Sequence, residues 1–157
     1  MLVPRLKPLF VRPTLPQLAG GSPALKVGVL VDLPWREHAG GHIKCWERLA
    51  QAATALPEVL DLTIHFLGPA PREIELSDNV RYRIEPPILG TERLKFLSHV
   101  PDHTDLAPWH PRLAAAIDGY HVLHSTGAFF AFARTALGVA RRAGIPLVSS
   151  VHTNTPE

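Results

Sequence analysis

The feature that most constrains the fold is an apolar run that ends in an acid and is followed by a glycine pair. The run is Lys26-Val-Gly-Val-Leu-Val-Asp32, and Gly40-Gly41 come shortly after it. A continuous apolar run of this kind is typical of a parallel strand buried on both faces. Apolar residues then recur at helical spacing from about His42 to Leu56. We therefore predict a strand, a glycine-rich loop and a helix, in that order.

The rest of the chain continues this alternation of strands and helices. The patterns predict further strands over residues 61–67, 80–84, 120–124 and 146–152, and helices over 111–118 and 128–143. Between the second and third strands the sequence is polar and predicts no clear element. Such alternation is typical of an α/β domain with a Rossmann-like, doubly wound parallel sheet. Right-handed crossovers then predict the strand order 3-2-1-4-5, with strands numbered along the chain.

The first 25 residues differ in composition from the rest of the chain. They hold five of the 16 prolines, and their charged residues are Arg5, Lys7 and Arg12 with no acid. We predict a disordered, proline-rich leader over residues 1–25 and one domain over 26–157. Peripheral contact of the leader with a membrane surface is the alternative. Because the whole chain has a net charge of only +2, no nucleic-acid partner is expected.

Several classes of protein are excluded by simple counts. The single cysteine, Cys45, allows no internal disulfide, which fits a cytoplasmic location. No apolar run approaches the ~18–20 residues that a membrane-spanning helix needs. Among the nine histidines, the pairs His38/His42 and His99/His103 have the i, i+4 spacing of a zincin motif, but they fall on loop or loop-to-helix segments and lack its glutamate, so we expect no metal.

The doubly wound topology predicts where a ligand binds. Ligands of such sheets lie outside the carboxyl ends of the strands, where the strand order reverses, here between the first and fourth strands. Three polar segments are expected there: Asp32 to Gly41, His124 to Gly127, and His152 to Thr155. The free amides at a glycine-rich helix start favour anions. However, Ala39-Gly-Gly-His-Ile-Lys is neither a dinucleotide fingerprint nor a Walker A loop.

His152 is the strongest candidate for chemistry in these segments. It ends a predicted buried strand at the carboxyl edge, where an imidazole could hydrogen-bond a sugar hydroxyl or move a proton. A purely structural histidine at the end of a strand is the alternative.

These pieces together resemble the N-terminal domain of GT-B glycosyltransferases of the family-four type. The matching residues are the strand that ends in Asp32, Gly40-Gly41 before a helix, and His121-Val-Leu-His124 with Ser125. The most specific part is Gly144-Ile-Pro-Leu-Val-Ser-Ser-Val-His152-Thr. The resemblance covers most of residues 26–156.

The resemblance implies transfer of a sugar from a nucleotide-sugar donor to a lipid or saccharide acceptor, without a bound metal or other cofactor. By position, Gly41 would lie beside the donor phosphates and His152, as the catalytic residue, beside the reacting sugar. Gly40, His124, Ser125 and Thr153 complete the expected substrate-binding set. The domain would be the acceptor side of a two-domain enzyme.

The chain stops soon after the fifth predicted strand, so the resemblance predicts a truncated acceptor-side half that is inactive alone. A separate donor-domain chain is one possible partner. A non-enzymatic α/β domain that binds a ligand or a protein is the alternative function. A dehydrogenase is disfavoured because the glycine fingerprint is absent.

Overall fold

The described residues fold around a six-stranded sheet. A computed structural model describes residues 23–36, 40–91 and 105–150. The elements, in chain order, are β1 (Leu25–Pro34), α1 (Gly41–Ala53), β2 (Leu60–Leu67), β3 (Arg72–Ser77), β4 (Val80–Glu85), α2 (Pro111–Ala116), β5 (Val122–Ser125), α3 (Ala131–Ala143) and β6 (Leu147–Ser149). The sheet order is β3-β4-β2-β1-β5-β6. Every neighbouring pair is parallel except β3 and β4, which are antiparallel.

The predicted α/β class with a mostly parallel sheet is confirmed, but the predicted order 3-2-1-4-5 differs from the sheet. The difference is Arg72–Ser77, a polar stretch in the sequence that forms the antiparallel edge strand β3. Only Ile74 and Ser77 of this strand are half-buried, so its pattern has no apolar run. Edge strands of this kind are held by the hairpin that joins them to their neighbour rather than by burial.

Helices cover the two faces of the sheet in different places. On one face, α1 packs through Ile43, Trp46 and Ala50 against apolar side chains of β1, β2 and β4. On the other face, α2 and α3 pack around Leu30 and Leu123. Since side chains alternate along a strand, Val29 and Val31 of β1 lie in the first cluster and Leu30 lies in the second. Strand β1 is thus buried on both faces, as its apolar run predicts.

The helix ends follow simple capping chemistry. The start of α2 is capped by His110, whose Nδ1 accepts a hydrogen bond of 3.1 Å from the Leu113 amide. Helix α3 ends at Gly144, which adopts the left-handed conformation with φ of 69° that favours glycine. Arg141 and Arg142 lie in the last turn of α3, where cations complement the helix dipole.

The boundaries differ from the predicted ones by a few residues. Helix α3 begins at Ala131 rather than at residue 128, and α1 ends at Ala53 rather than near Leu56. Strand β1 begins at Leu25, the last residue of the predicted leader. The rest of the leader up to residue 22, and the predicted strand beyond residue 150, lie outside the described residues.

Candidate functional site

The carboxyl ends of β1 and β5 form the point where the connections diverge. From β1 the chain passes through α1 on one face to β2, and from β5 it passes through α3 on the other face to β6. The two strands are direct neighbours, with Leu30 opposite Ser125. This is the position at which open α/β sheets bind ligands. The candidate site is therefore built from the segments that follow β1 and β5.

Asp32, near the end of β1, is the most unusual residue of this edge. Its side chain is buried, and Oδ1 accepts a hydrogen bond of 3.2 Å from the Phe132 amide in the first turn of α3. Its Oδ2 is buried and has no hydrogen-bond partner among the described residues. Burial raises the pKa of Asp32 to about 7, against the opposing effect of the Phe132 and Ala133 amides. The negative charge of Asp105 raises this pKa further.

The loop after β5 is fixed by hydroxyl groups. Ser125 Oγ donates a hydrogen bond of 2.8 Å to the Gly127 carbonyl, and Thr126 Oγ1 donates one of 3.2 Å to the Leu30 carbonyl. A Cβ atom on Gly127 would lie 3.6 Å from Asp32 Oδ2. Ser125, predicted as a substrate-binding residue, thus uses its hydroxyl to shape this loop, and the loop backbone lies beside the Asp32 carboxyl.

The start of α1 has no side-chain cap. Gly40 is the N-cap residue and makes no side-chain hydrogen bond, and the first turn of the helix holds no acid. A Cβ atom built on Gly40 or on Gly41 would meet no atom within 4 Å. Backbone N–H groups that lack an intrahelical acceptor therefore begin a 13-residue helix at two glycines where an added Cβ would meet no other atom. Such an arrangement favours an anion, as the glycine pair in the sequence predicts.

His124, on β5, lies between the end of β6 and helix α1. Its Nε2 is 2.9 Å from Ser150 Oγ. Its ring contacts the Trp46 ring of α1 edge-on, with centroids 5.0 Å apart. The side chain is half-buried, on the same face of the sheet as the start of α1. The structure thus brings His124 and the helix that begins at Gly41 to the same face of the sheet.

Two predicted site residues, the catalytic candidate His152 and the substrate-binding candidate Thr153, lie outside the described residues. Their roles stay predictions. The described segment of the chain reaches Ser150, whose amide donates a hydrogen bond of 2.9 Å to the Ser125 carbonyl. Ser150, the last described residue, therefore lies beside the end of β5.

Asp105 organises this edge of the molecule. Its side chain is fully buried and accepts hydrogen bonds of 2.8, 2.9 and 3.0 Å from the amides of Ile88, Leu89 and Ala107. Its carbonyl accepts one of 3.0 Å from the Ala131 amide at the start of α3. The sequence marks Asp32 as the acid that ends the first strand, but it does not indicate that the carboxyl is buried or which backbone amides either Asp32 or Asp105 meets.

A second buried polar pair lies away from this edge. His65 of β2 is fully buried, and its Nε2 is 3.4 Å from the Tyr120 hydroxyl. Burial, with the nearby charges of Arg83 and His110, lowers the pKa of His65 to about 3. His65 is therefore neutral at physiological pH. No sequence pattern marks this residue, because a histidine within a strand looks like any half-exposed polar position.

Other candidate chemistry is limited in the parts of the chain that the structure describes. No group of three or more His, Cys, Asp or Glu side chains there could hold a metal ion. Trp35, which follows β1, donates a hydrogen bond of 3.0 Å from Nε1 to Glu47 Oε1. Among those same residues, no helix has the length and apolar character needed to cross a membrane.

Comparison with known proteins gives no family for the chain. No protein-family model matches it, and no curated protein is found to be similar to it. Its function must therefore be argued from the geometry of the carboxyl edge.

Proposed function

We propose that this domain is the acceptor-side half of a glycosyltransferase that uses a nucleotide-sugar donor. The observation that carries the proposal is the arrangement at the end of β1 and β5. The strands β1 and β5 are neighbours, and the chain leaves them toward opposite faces of the sheet. Helix α1 begins beside them at glycines without a side-chain cap, and a polar loop follows β5. Anionic ligands are bound at such helix starts in doubly wound sheets.

The donor would be held mainly through its phosphates. The N–H groups at the start of α1, such as that of Gly41, supply hydrogen bonds, and the dipole of α1 favours negative charge there. These amides would stabilise the charge that develops on the nucleotide as it leaves. Because neither Gly40 nor Gly41 has a side chain, the phosphates can approach the backbone closely.

The sugar and acceptor hydroxyls would meet the segments after β5 and β6. His124 and Ser150 offer an imidazole and a hydroxyl that already share a hydrogen bond. His152 and Thr153 follow Ser150 closely in the sequence. In the proposed reaction, His152 contacts the reacting sugar and Thr153 a substrate hydroxyl. Most donor contacts would come from a second Rossmann-like domain, so the present domain alone would bind the donor weakly.

The test is a nuclear magnetic resonance titration of the isotopically labelled full chain with a panel of nucleotide sugars and with UDP. We expect the amide signals of Gly40, Gly41, His124 and Ser125 to shift, with millimolar affinity. Shifts confined to the opposite edge of the sheet, around Lys26 and Gly119, would contradict the proposal.

A transfer assay with the same panel separates the two functions left open. The chain alone should release no nucleotide above background. Nucleotide release that is lost in His152→Ala would show a complete small enzyme and contradict the half-enzyme proposal. An absence of shifts with every nucleotide, together with specific binding of a protein or another small molecule, would favour the non-enzymatic alternative.

A further inference from the structure

A polar cavity of about 160 Å³ lies at the amino ends of the parallel strands, away from the carboxyl edge that holds the candidate site. Its walls are the early residues of β1, β2 and β4 and the turn that follows α2. The charged and hydroxyl side chains that line it are Lys26, Asp61, Thr63, Arg81, Asp118 and Tyr120. We call this space the amino-edge cavity.

The walls of the amino-edge cavity are fixed to each other by backbone contacts. Lys26 of β1 lies directly opposite Asp61 of β2. In the next strand pair, Thr63 of β2 lies opposite Arg81 of β4. The Lys26 amide donates a hydrogen bond of 3.0 Å to His121 Nδ1, and the His121 amide donates one of 2.9 Å to the Lys26 carbonyl. Because the turn after α2 is thus tied to β1, the cavity is formed before a ligand arrives, as small-molecule sites usually are.

Buried polar side chains lead inward from the cavity. Thr63 is buried, and the Tyr120 hydroxyl lies 3.4 Å from Nε2 of the fully buried His65. His65 Nδ1 is also buried and has no hydrogen-bond partner among the described residues. Burial raises the pKa of Tyr120, against the opposing effect of the Thr63 hydroxyl, so the phenol is neutral. Burying polar groups costs free energy unless they are satisfied. Their position behind a polar cavity therefore indicates a binding site rather than a simple gap in the packing.

The charges that line the cavity determine which ligand fits. Arg81 Nη2 lies 3.2 Å from Asp61 Oδ1 and donates a hydrogen bond of 3.0 Å to the Asp78 carbonyl. Lys26 and Asp118 form no ion pair with another described residue. One ammonium and one carboxylate are thus left for a ligand. A simple anion would also meet the carboxylates of Asp61 and Asp118, and a simple cation would meet Lys26 and Arg81. Since like charges in contact are unfavourable, a ligand with both charges fits best.

We propose that the amino-edge cavity binds a small zwitterion with one carboxylate and one ammonium group, of the class of the free α-amino acids. Lys26 would contact the ligand's carboxylate and Asp118 its ammonium group. The hydroxyls of Thr63 and Tyr120 would face the rest of the ligand. The cavity is smaller than the ~300–1,000 Å³ sites that hold drug-sized ligands, so it is too small for a nucleotide sugar. It is therefore a separate site, and it does not depend on the proposed function.

The test is a nuclear magnetic resonance titration of the isotopically labelled full chain with each common α-amino acid, and with acetate and methylammonium as ligands of a single charge. We expect at least one amino acid to shift the amide signals of Lys26, Thr63 and Gly119 in a saturable way. Acetate and methylammonium should bind at least about tenfold more weakly, since each lacks one charged contact. No saturable shift with any amino acid would overturn the proposal, and so would acetate or methylammonium binding as tightly as the best amino acid.

Variants of the two unpaired charges test their roles directly. Lys26→Gln and Asp118→Asn should each weaken binding of the amino acid at least about tenfold. Both side chains are exposed, so neither change should alter the melting temperature by circular dichroism. Arg48→Gln and Glu58→Gln are the matched controls, because they remove the same charges from exposed positions outside the cavity and should bind like the unmodified chain. Full affinity in both cavity variants, or equal losses in the controls, would overturn the proposal.

The outcomes also distinguish this proposal from the proposed function. Amino-acid-induced shifts at Lys26 and Gly119, without nucleotide-induced shifts at Gly41, would support the amino-edge site and contradict the transferase. Nucleotide-induced shifts at Gly41 without any amino-acid-induced shift would do the reverse. Amino-acid-induced shifts confined to Gly41 and His124 would place the ligand at the carboxyl edge and overturn the amino-edge site.

Discussion

Asp32 and Phe132 are joined across 100 positions of the chain by a hydrogen bond of 3.2 Å from the Phe132 amide to Asp32 Oδ1. The bond ties the end of β1 to the first turn of α3, so both sides of the point where the connections diverge are fixed to each other. A negative charge at this helix start is favoured by the helix dipole. Burial opposes the same charge and raises the pKa of Asp32 to about 7.

Asp32→Asn should change the pH dependence of stability. Between about pH 4 and 7 the folded protein keeps a proton on Asp32 that the unfolded chain releases, because the pKa is about 7 when folded and 3.8 in the reference state. The contribution of Asp32 to the free energy of unfolding is therefore greatest at low pH and decreases as pH rises to 7, by on the order of 4 kcal/mol. In Asp32→Asn this decrease should be absent. Denaturant unfolding from about pH 4.5 to 7.5 measures it, and an unchanged slope with pH would contradict the assignment.

His65→Gln should change the slope of the unfolding free energy against pH in the direction opposite to that of Asp32→Asn. The folded protein keeps His65 neutral down to about pH 3, whereas the unfolded chain binds a proton below pH 6.5. His65 thus contributes stability that is present above pH 6.5 and is lost as pH falls toward 3. Glutamine can still hydrogen-bond the Tyr120 hydroxyl but does not titrate. In denaturant unfolding, the free energy of unfolding of the variant should therefore fall more steeply as pH rises from about 4 to 6.5 than that of the unmodified chain.

The two residues oppose each other between about pH 4 and 6.5. The free energy of unfolding of the unmodified chain should depend only weakly on pH in this range. Each single variant should show a steeper pH dependence, which is due to the titratable residue that remains. The double variant Asp32→Asn/His65→Gln should again be shallow. A double variant with a slope as steep as either single variant would show that other groups dominate.

The sequence predicted the elements whose signal is local. The apolar run of β1 requires burial on both faces, and the helical spacing in α1 and α3 requires one apolar face. Strand β3 was missed because its residues are mostly exposed and polar. Asp78-Asn79 connects Ser77 to Val80, and Asp and Asn are common turn residues, so a turn signal was present. Nothing in the sequence indicated that the polar residues before this turn pair with β4 as an edge strand.

For the candidate site, the sequence indicated the edge but not its internal contacts. The positions of Gly41 and His124 follow from the strand ends, which the apolar runs mark. The contacts of Asp32 with Phe132 and of Asp105 with Ile88 depend on backbone amides far away in sequence. No periodicity encodes which amide a buried carboxylate will meet. The apolar spacing also predicts core positions for Phe129, Phe130 and Phe132. For Phe129 this is wrong, because α3 begins only at Ala131 and the Phe129 side chain is 75% exposed.

Gly68→Ala should destabilise the fold at the end of β2. A Cβ atom there would overlap Cγ2 of Ile84, which is buried in the core. The backbone cannot move away easily, because the Gly68 amide donates a hydrogen bond of 3.0 Å to the Glu85 carbonyl. Overpacking of this kind costs ~1–3 kcal/mol. Denaturant unfolding measures the loss, and an unfolding free energy equal to that of the unmodified chain would show that Ile84 can repack freely.

Gly41→Glu should separate anion binding from folding. A side chain at this position enters open space, and the φ of Gly41 does not lie in the left-handed region. An acid in the first turn of a helix stabilises it by ~0.3–1 kcal/mol. The melting temperature should therefore stay the same or rise slightly. The same carboxylate repels phosphate from the helix-start amides, so UDP binding should weaken at least about tenfold.

Gly41→Ala is the matched control. It adds a Cβ without charge, should be as stable as or more stable than the unmodified chain, and should lose much less affinity for UDP. Thermal unfolding by circular dichroism and titration of the amide signals with UDP give the two readouts. If Gly41→Glu binds UDP as tightly as Gly41→Ala, the phosphates do not lie at the start of α1, and the donor site must be sought elsewhere on the carboxyl edge.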